Sequence, residues 1–200
     1  VLDTWFYVIK KKFKGEMYLI RYADDFVVLF QYENEANQFY KLLVERLAKF
    51  GLEIATDKTR ILPFGRFKGK KEDKFTFLGF DFHNGKTING KYRTHVKSSV
   101  KKLKVKRQNL KEWARKNMHN PIEGIMTTLN RKLEGHYNYY GINGNYCSIK
   151  KFYTYAKYTM FRVFNRRSQK KHMKYEDFER IWKCYINLPR IKVNLWGWQS

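Results

Sequence analysis

Two adjacent carboxylates, Asp24 and Asp25, interrupt two β-rich runs, Met17 to Tyr22 and Phe26 to Tyr32, within Tyr22-Ala23-Asp24-Asp25-Phe26-Val27-Val28-Leu29-Phe30. A short polar pair between apolar runs predicts a β-hairpin whose tip exposes both carboxylates while the strands bury their flanks. Paired hard oxygens suit a divalent cation. Mg²⁺ held by one or two carboxylates and by substrate phosphates is the usual arrangement for nucleotidyl transfer. Asp-Asp is also an ordinary turn sequence, because Asp side chains hydrogen-bond their own backbone.

The elements around this pair alternate strand and helix signals. Residues 1–6, Val1-Leu2-Asp3-Thr4-Trp5-Phe6, read as the middle of an amphipathic helix, with no initiator Met and no basic-then-apolar leader, as expected of a fragment of a longer protein. A helix is predicted over Glu35 to Phe50, with Phe39, Leu42, Leu43, Leu47 and Phe50 at helical spacing and Gly51 as C-cap. Strands are predicted at Leu52 to Ile54, Thr59 to Pro63 and Lys74 to Phe82, the last two separated by the Gly/Lys-rich loop Gly65 to Lys71. From Thr94 the pattern turns helical: Val96 to Met118, Pro121 to Tyr140, Ile149 to Arg167 and Tyr175 to Ile186. In the first of these, Val96, Val100, Leu103, Leu110 and Ala114 form an apolar stripe, and Lys97, Lys101, Lys104, Lys111 and Arg115 cover the rest.

Charge divides the chain in the same place. Its 200 residues carry 42 Lys+Arg against 18 Asp+Glu, a formal net charge of +24. Residues 1–90 hold 16 basic against 12 acidic groups, residues 91–200 hold 26 against 6. Such an excess opposes compaction unless a polyanion or a membrane surface supplies counter-charge; nucleic acid is the expected partner, and an ordinary small metabolic enzyme is excluded. With 43% hydrophobic and 18% aromatic residues the chain can still bury a core. The two cysteines, Cys147 and Cys184, have no zinc or CxxC spacing and point to a reducing, cytoplasmic location. Apolar runs such as Phe26 to Phe30 are too short to span a bilayer, so no membrane partner is expected.

Taken together, these motifs resemble the reverse transcriptases of mobile group II introns. Tyr22-Ala23-Asp24-Asp25 is similar to their active-site box, with Arg21 before it. Gly51-Leu52-Glu53-Ile54 with Asp57-Lys58-Thr59-Arg60 and Phe64-Gly65 looks like the next motif, and Phe75-Thr76-Phe77-Leu78-Gly79-Phe80 like the primer grip. Leu129-Asn130-Arg131-Lys132-Leu133 and Gly135-His136-Tyr137-Asn138-Tyr139-Tyr140 resemble the maturase, or thumb, region, and Leu188-Pro189-Arg190-Ile191 its closing segment. The resemblance implies an α+β fold: a partial polymerase palm over 1–93 (hairpin, helix, strands), then an all-α basic helical-bundle thumb/maturase domain over 94–200.

It also implies roles. Asp24 and Asp25 would ligate Mg²⁺ and be catalytic, Tyr22 would support the nucleotide and primer end, and Lys58 would stand as a general acid for the leaving pyrophosphate. Phe77, Leu78 and Gly79 would form the primer grip, while Lys97, Lys101, Lys104, Lys111, Arg115 and Arg131 would contact RNA. The partners would be intron and template RNA and a DNA primer. The family's further metal-binding Asp and its fingers would precede Val1, so Mg²⁺ is expected only with the complete palm, and the chain alone is expected to be inactive as a polymerase unless a complementary N-terminal fragment joins it. Two other readings compete: a non-catalytic RNA-binding splicing factor, and a general basic architectural binder. Tyr137, Tyr139, Tyr140, Tyr153, Tyr155 and Tyr158, interleaved with basic residues, suit base stacking, although Phe152, Tyr155, Thr159 and Phe161 also fall at core spacing.

Overall fold

The structure, a computed structural model, describes residues 2–67, 73–167 and 172–188. Its elements run α1 (Leu2–Lys10), β1 (Met17–Tyr22), β2 (Asp25–Phe30), α2 (Glu33–Ala48), β3 (Lys74–Phe77), β4 (Phe80–Lys86), β5 (Tyr92–Ser98), α3 (Val100–Lys116), α4 (Ile122–Tyr140), α5 (Tyr146–Asn165) and α6 (Tyr175–Tyr185). The fold is α+β, a hairpin and a three-stranded sheet followed by helices. The chain divides into two compact units: residues 1–78 with 82–95, and residues 79–81 with 96–200.

In the first unit β1 and β2 pair antiparallel from Met17↔Phe30 to Tyr22↔Asp25. This register puts Met17, Leu19, Phe26, Val28 and Phe30 on one face, because strand side chains alternate. That face packs with Phe6 and Ile9 of α1 and Phe39 and Leu43 of α2. Each large apolar side chain fully buried here contributes roughly 1.5–3 kcal/mol. Buried Glu35 fixes the approach to β1: its carboxylate accepts the Lys14 amide at 2.9 Å and the Gly15 amide at 3.2 Å. A Cβ at Gly15 would stand 2.6 Å from both this carboxylate and the Tyr32 ring, so only glycine fits.

Gly51 ends α2 as expected, with φ at +67°. Its amide reaches the Ala48 carbonyl and the Leu52 amide reaches the Leu47 carbonyl, the two bonds of a Schellman cap. The strands expected at Leu52–Ile54 and Thr59–Pro63 are absent; that stretch is turn and irregular chain. The cap takes the Leu52 amide, and the Ala55 carbonyl takes the amides of Lys58 and Thr59, so these groups go to local turns instead of a ladder. The run Lys74–Phe82 is two strands, broken at Leu78 and Gly79, which both have positive φ (48° and 78°). Two left-handed residues in a two-residue loop are what a type I′ hairpin requires.

The second unit is built on α3–α6 around Leu110, Ala114, Met126, Leu129, Leu133, Met160, Phe178 and Trp182. The first helix begins at Val100 and not at Val96, because residues 92–98 form β5 beside β4. Val96 and Lys97 therefore belong to a strand, and Val100 is exposed, which shortens the apolar stripe to Leu103, Leu110 and Ala114. Asn145 is fully buried with its donors and acceptor in use: it bonds the Ser98 amide, the Ser98 hydroxyl and the Tyr140 carbonyl at 2.9, 2.8 and 2.9 Å. Between α5 and α6, Lys157 pairs with Glu179 at 2.5 Å, and the Trp182 indole donates to the Tyr153 hydroxyl at 2.6 Å. No helix among the described residues is long and apolar enough to cross a membrane.

Candidate functional site

The hairpin delivers Asp24 and Asp25 to its tip. Tyr22 and Asp25 are the last pair of the ladder, so Ala23 and Asp24 form the two-residue loop. Ala23 is left-handed, with φ at 52°. A non-glycine residue gives up about 1–2 kcal/mol there, the kind of local strain that accumulates at functional positions. Tyr22, Asp24 and Asp25 are all exposed.

Arg21 braces this turn. Its Nη1 donates to the Ala23 carbonyl at 2.9 Å, its Nε donates to Asp3 Oδ1 at 2.9 Å, and its Nη2 pairs with the other Asp3 oxygen. The fork-to-carboxylate geometry ties α1 to the hairpin tip. The hydrogen bond from Arg21 lowers the Asp3 carboxyl below its ordinary range, and the reciprocal bond raises Arg21 above its own. Arg21 was visible in the sequence beside the acidic pair. Its partner was not, because Asp3 lies 18 residues away with no local signal joining them.

The donor chemistry at the tip fits Mg²⁺ in one respect: two exposed hard-oxygen groups on adjacent residues can share an ion with substrate phosphates. It does not make a closed protein cage, since among the described residues no group of three His, Cys, Asp or Glu side chains converges for a metal.

Lys58 lies on the Ala55–Thr59 turn with its side chain exposed. Phe77 ends β3 and Leu78 and Gly79 form the β3–β4 turn, and in the second unit a Cβ at Gly79 would stand 2.8 Å from the Tyr140 hydroxyl. Phe80 lies against Tyr139 and Tyr140 at 5.8 and 5.1 Å between ring centroids. Glycine at 79 is thus required by backbone sign and by close approach to a protein group. Phe80 is packed against rings, as core residues are.

Helical spacing brings Lys101, Lys104, Lys111 and Arg115 to one side of α3. Lys111 is half-buried and the others are exposed; Arg131 is exposed on α4. Lys97 stands apart from that stripe, exposed on β5. Two cations not anticipated from the sequence are used internally: Lys106 lies 4.6 Å from the Tyr140 ring centre, and Arg107 lies 5.4 Å from that of Tyr155. Burial lowers the pKa of Lys106. Of the tyrosines, Tyr139 and Tyr158 are exposed, Tyr140 is buried, and Tyr137, Tyr153 and Tyr155 are half-buried. Phe152 and Thr159 are buried as core. Pro189, Arg190 and Ile191 lie outside the described residues.

No curated protein matches the chain. Residues 1–82, which include the braced Asp24-Asp25 tip and extend into β4, match the family model of reverse transcriptase (RNA-dependent DNA polymerase), so the first part of this chain is similar to a reverse transcriptase, a class that works on nucleic acid.

Proposed function

We propose that the chain is the C-terminal portion of a group II intron-type reverse transcriptase and maturase. The observation that carries this reading is the location of Asp24 and Asp25, exposed on a strained and braced hairpin tip inside the reverse-transcriptase-like residues. Asp24 and Asp25 would hold Mg²⁺, which when bound supplies charge neutralisation at the reacting phosphates. Tyr22 would line the nucleotide and primer end, Lys58 would donate a proton to the leaving pyrophosphate, and Phe77, Leu78 and Gly79 would border the primer. A two-metal centre needs more donors than these two residues give, so the remaining carboxylate would come from a complementary fragment. The α3 stripe, Lys97 and Arg131 would hold intron and template RNA. The strongly basic helical half favours a second reading, a splicing factor that binds RNA without polymerising.

Primer extension on an RNA template with Mg²⁺ separates the two, using the chain alone and mixed with a reverse transcriptase fragment carrying the further Asp. Activity in the mixture that Asp24→Ala abolishes is the expected result. No activity in either case, with tight salt-sensitive binding to intron RNA, would overturn the polymerase assignment and leave the binding module.

A further inference from the structure

The loop joining β4 to β5 has an unusual tip. Thr87, Ile88, Asn89, Gly90 and Lys91 close it, with the Thr87 amide bonded to the Lys91 carbonyl at 2.8 Å and the Gly90 amide to the Thr87 carbonyl at 3.0 Å. Thr, Asn and a left-handed Gly90 are ordinary turn residues. Ile88 is not: its side chain is fully exposed, at 106% of its reference area. Burying an isoleucine side chain stabilises a fold, and this position forgoes that gain.

Side-chain contacts tie the two strands together behind the tip. Asn84 is buried, and its Oδ1 accepts the Tyr92 hydroxyl at 2.8 Å across the strands and the Gly65 amide at 3.2 Å. His83 stacks on His95 across the same pair at 5.2 Å, over Gly85, where any Cβ would meet the His95 ring. The flanks are basic, with Lys86 and Lys91 exposed. No Asp or Glu occurs between Asp81 and Glu112. Beside the tip, Lys86, Ile88, Arg93 and His95 border a hollow of about 360 Å³.

A β4–β5 hairpin of the three-stranded sheet, with a cationic base and one projecting aliphatic side chain, has the properties of a base-step wedge: the cations bind phosphates, and the apolar tip enters the stack and unstacks it. We infer that Ile88 is such a wedge, inserted by the β4–β5 ribbon between stacked bases of a base-paired nucleic acid. In an A-form helix the deep, narrow major groove excludes the ribbon, so entry is from the shallow minor groove or at a helix end. The inference rests on the nucleic-acid reading above and adds a contact outside the acidic tip, the Phe77–Gly79 turn and the α3 stripe.

The test uses the whole chain with a duplex carrying a stacking-sensitive fluorescent adenine analogue, in two arms, an RNA duplex and an RNA–DNA hybrid. Unstacking should raise the fluorescence about twofold or more on binding, and the arm that responds identifies the duplex. Ile88→Asn should bind within about threefold of the unaltered chain, since phosphate contacts dominate affinity, yet lose the fluorescence rise. Ile88→Phe should keep it. Circular dichroism of both variants should match the parent, because the side chain is exposed. Binding without any rise, or a rise that survives Ile88→Asn, would overturn the wedge while the nucleic-acid reading stands. No binding to either duplex or to intron RNA would overturn both.

Discussion

Asn145 and Ser98 are joined by two hydrogen bonds across 47 residues, the Ser98 amide donating to Asn145 Oδ1 and Asn145 Nδ2 donating to the Ser98 hydroxyl. The third bond of Asn145, to the Tyr140 carbonyl, makes the clasp complete, so the end of β5 is held by the connection between α4 and α5. Asn145→Ala leaves a buried amide N–H and a hydroxyl unpartnered, which should lower stability by roughly 1–3 kcal/mol. Ser98→Ala removes one bond only and should cost less. Urea unfolding of the two single variants and the double variant reads both effects and their coupling.

Gly79 and Tyr140 give a paired test. Alanine at 79 meets a positive φ and a hydroxyl 2.8 Å away, so Gly79→Ala should destabilise by more than about 1 kcal/mol. Tyr140→Phe removes the nearer obstacle but not the backbone strain. The double variant should therefore recover part of the loss, measured as a shift in Tm. Equal losses in both backgrounds would show that the strain alone acts.

His136 should make the helical unit acid-sensitive. The ring is 3% exposed, lies against Phe152 and Tyr140 at 4.1 and 4.8 Å, and neither ring nitrogen has a hydrogen-bond partner. Burial, helped by the charge of Lys106, lowers its pKa to about 4 from 6.5. The unfolded chain takes up the proton first, so stability is full above pH 6.5 and falls as the pH drops toward 4. The loss should approach about 3 kcal/mol. Carboxylates titrate near the lower end of this window, so the check is the difference between the parent and His136→Phe, whose stability should fall less between these limits.

The basic stripe on α3 should appear in the salt dependence of RNA binding. Neutralising Lys101, Lys104 or Arg115 should each reduce the slope of log affinity against log salt by about 0.7–0.9 where the residue meets a phosphate. Neutralising Lys106, half-buried against Tyr140, should leave that slope unchanged and lower Tm instead. Filter binding at several salt concentrations, alongside thermal melts, distinguishes the two kinds of cation.

Much of the first unit could be read locally. The β-rich runs Met17–Tyr22 and Phe26–Phe30 with the polar pair Asp24 and Asp25 between them leave few options but a hairpin, and the spacing of Phe39, Leu42, Leu43 and Leu47 before Gly51 leaves few but a capped helix. The strand expected at Leu52–Ile54 failed for a local reason too, since the helix cap consumed its first amide. The helix expected from Val96 starts late, at Val100, for a non-local reason. Residues 92–98 carry both helix- and strand-compatible types, and pairing with β4 decided between them, moving Lys97 off the helical stripe.

Residue types and their spacing within one element suffice for the α+β class, the exposed carboxylate pair, the basic helical half and the reverse-transcriptase-like motifs, but not for the full order of strands. That Asp3 braces Arg21, that Gly79 makes room for Tyr140, that Asn145 clasps Ser98 and that Ile88 projects from its ribbon are visible in the folded chain alone. Three of these join residues 18 to 61 positions apart, and the last is an absence of packing. A pairing at such distance depends on how the elements close on one another, and no periodicity within a single element carries that information.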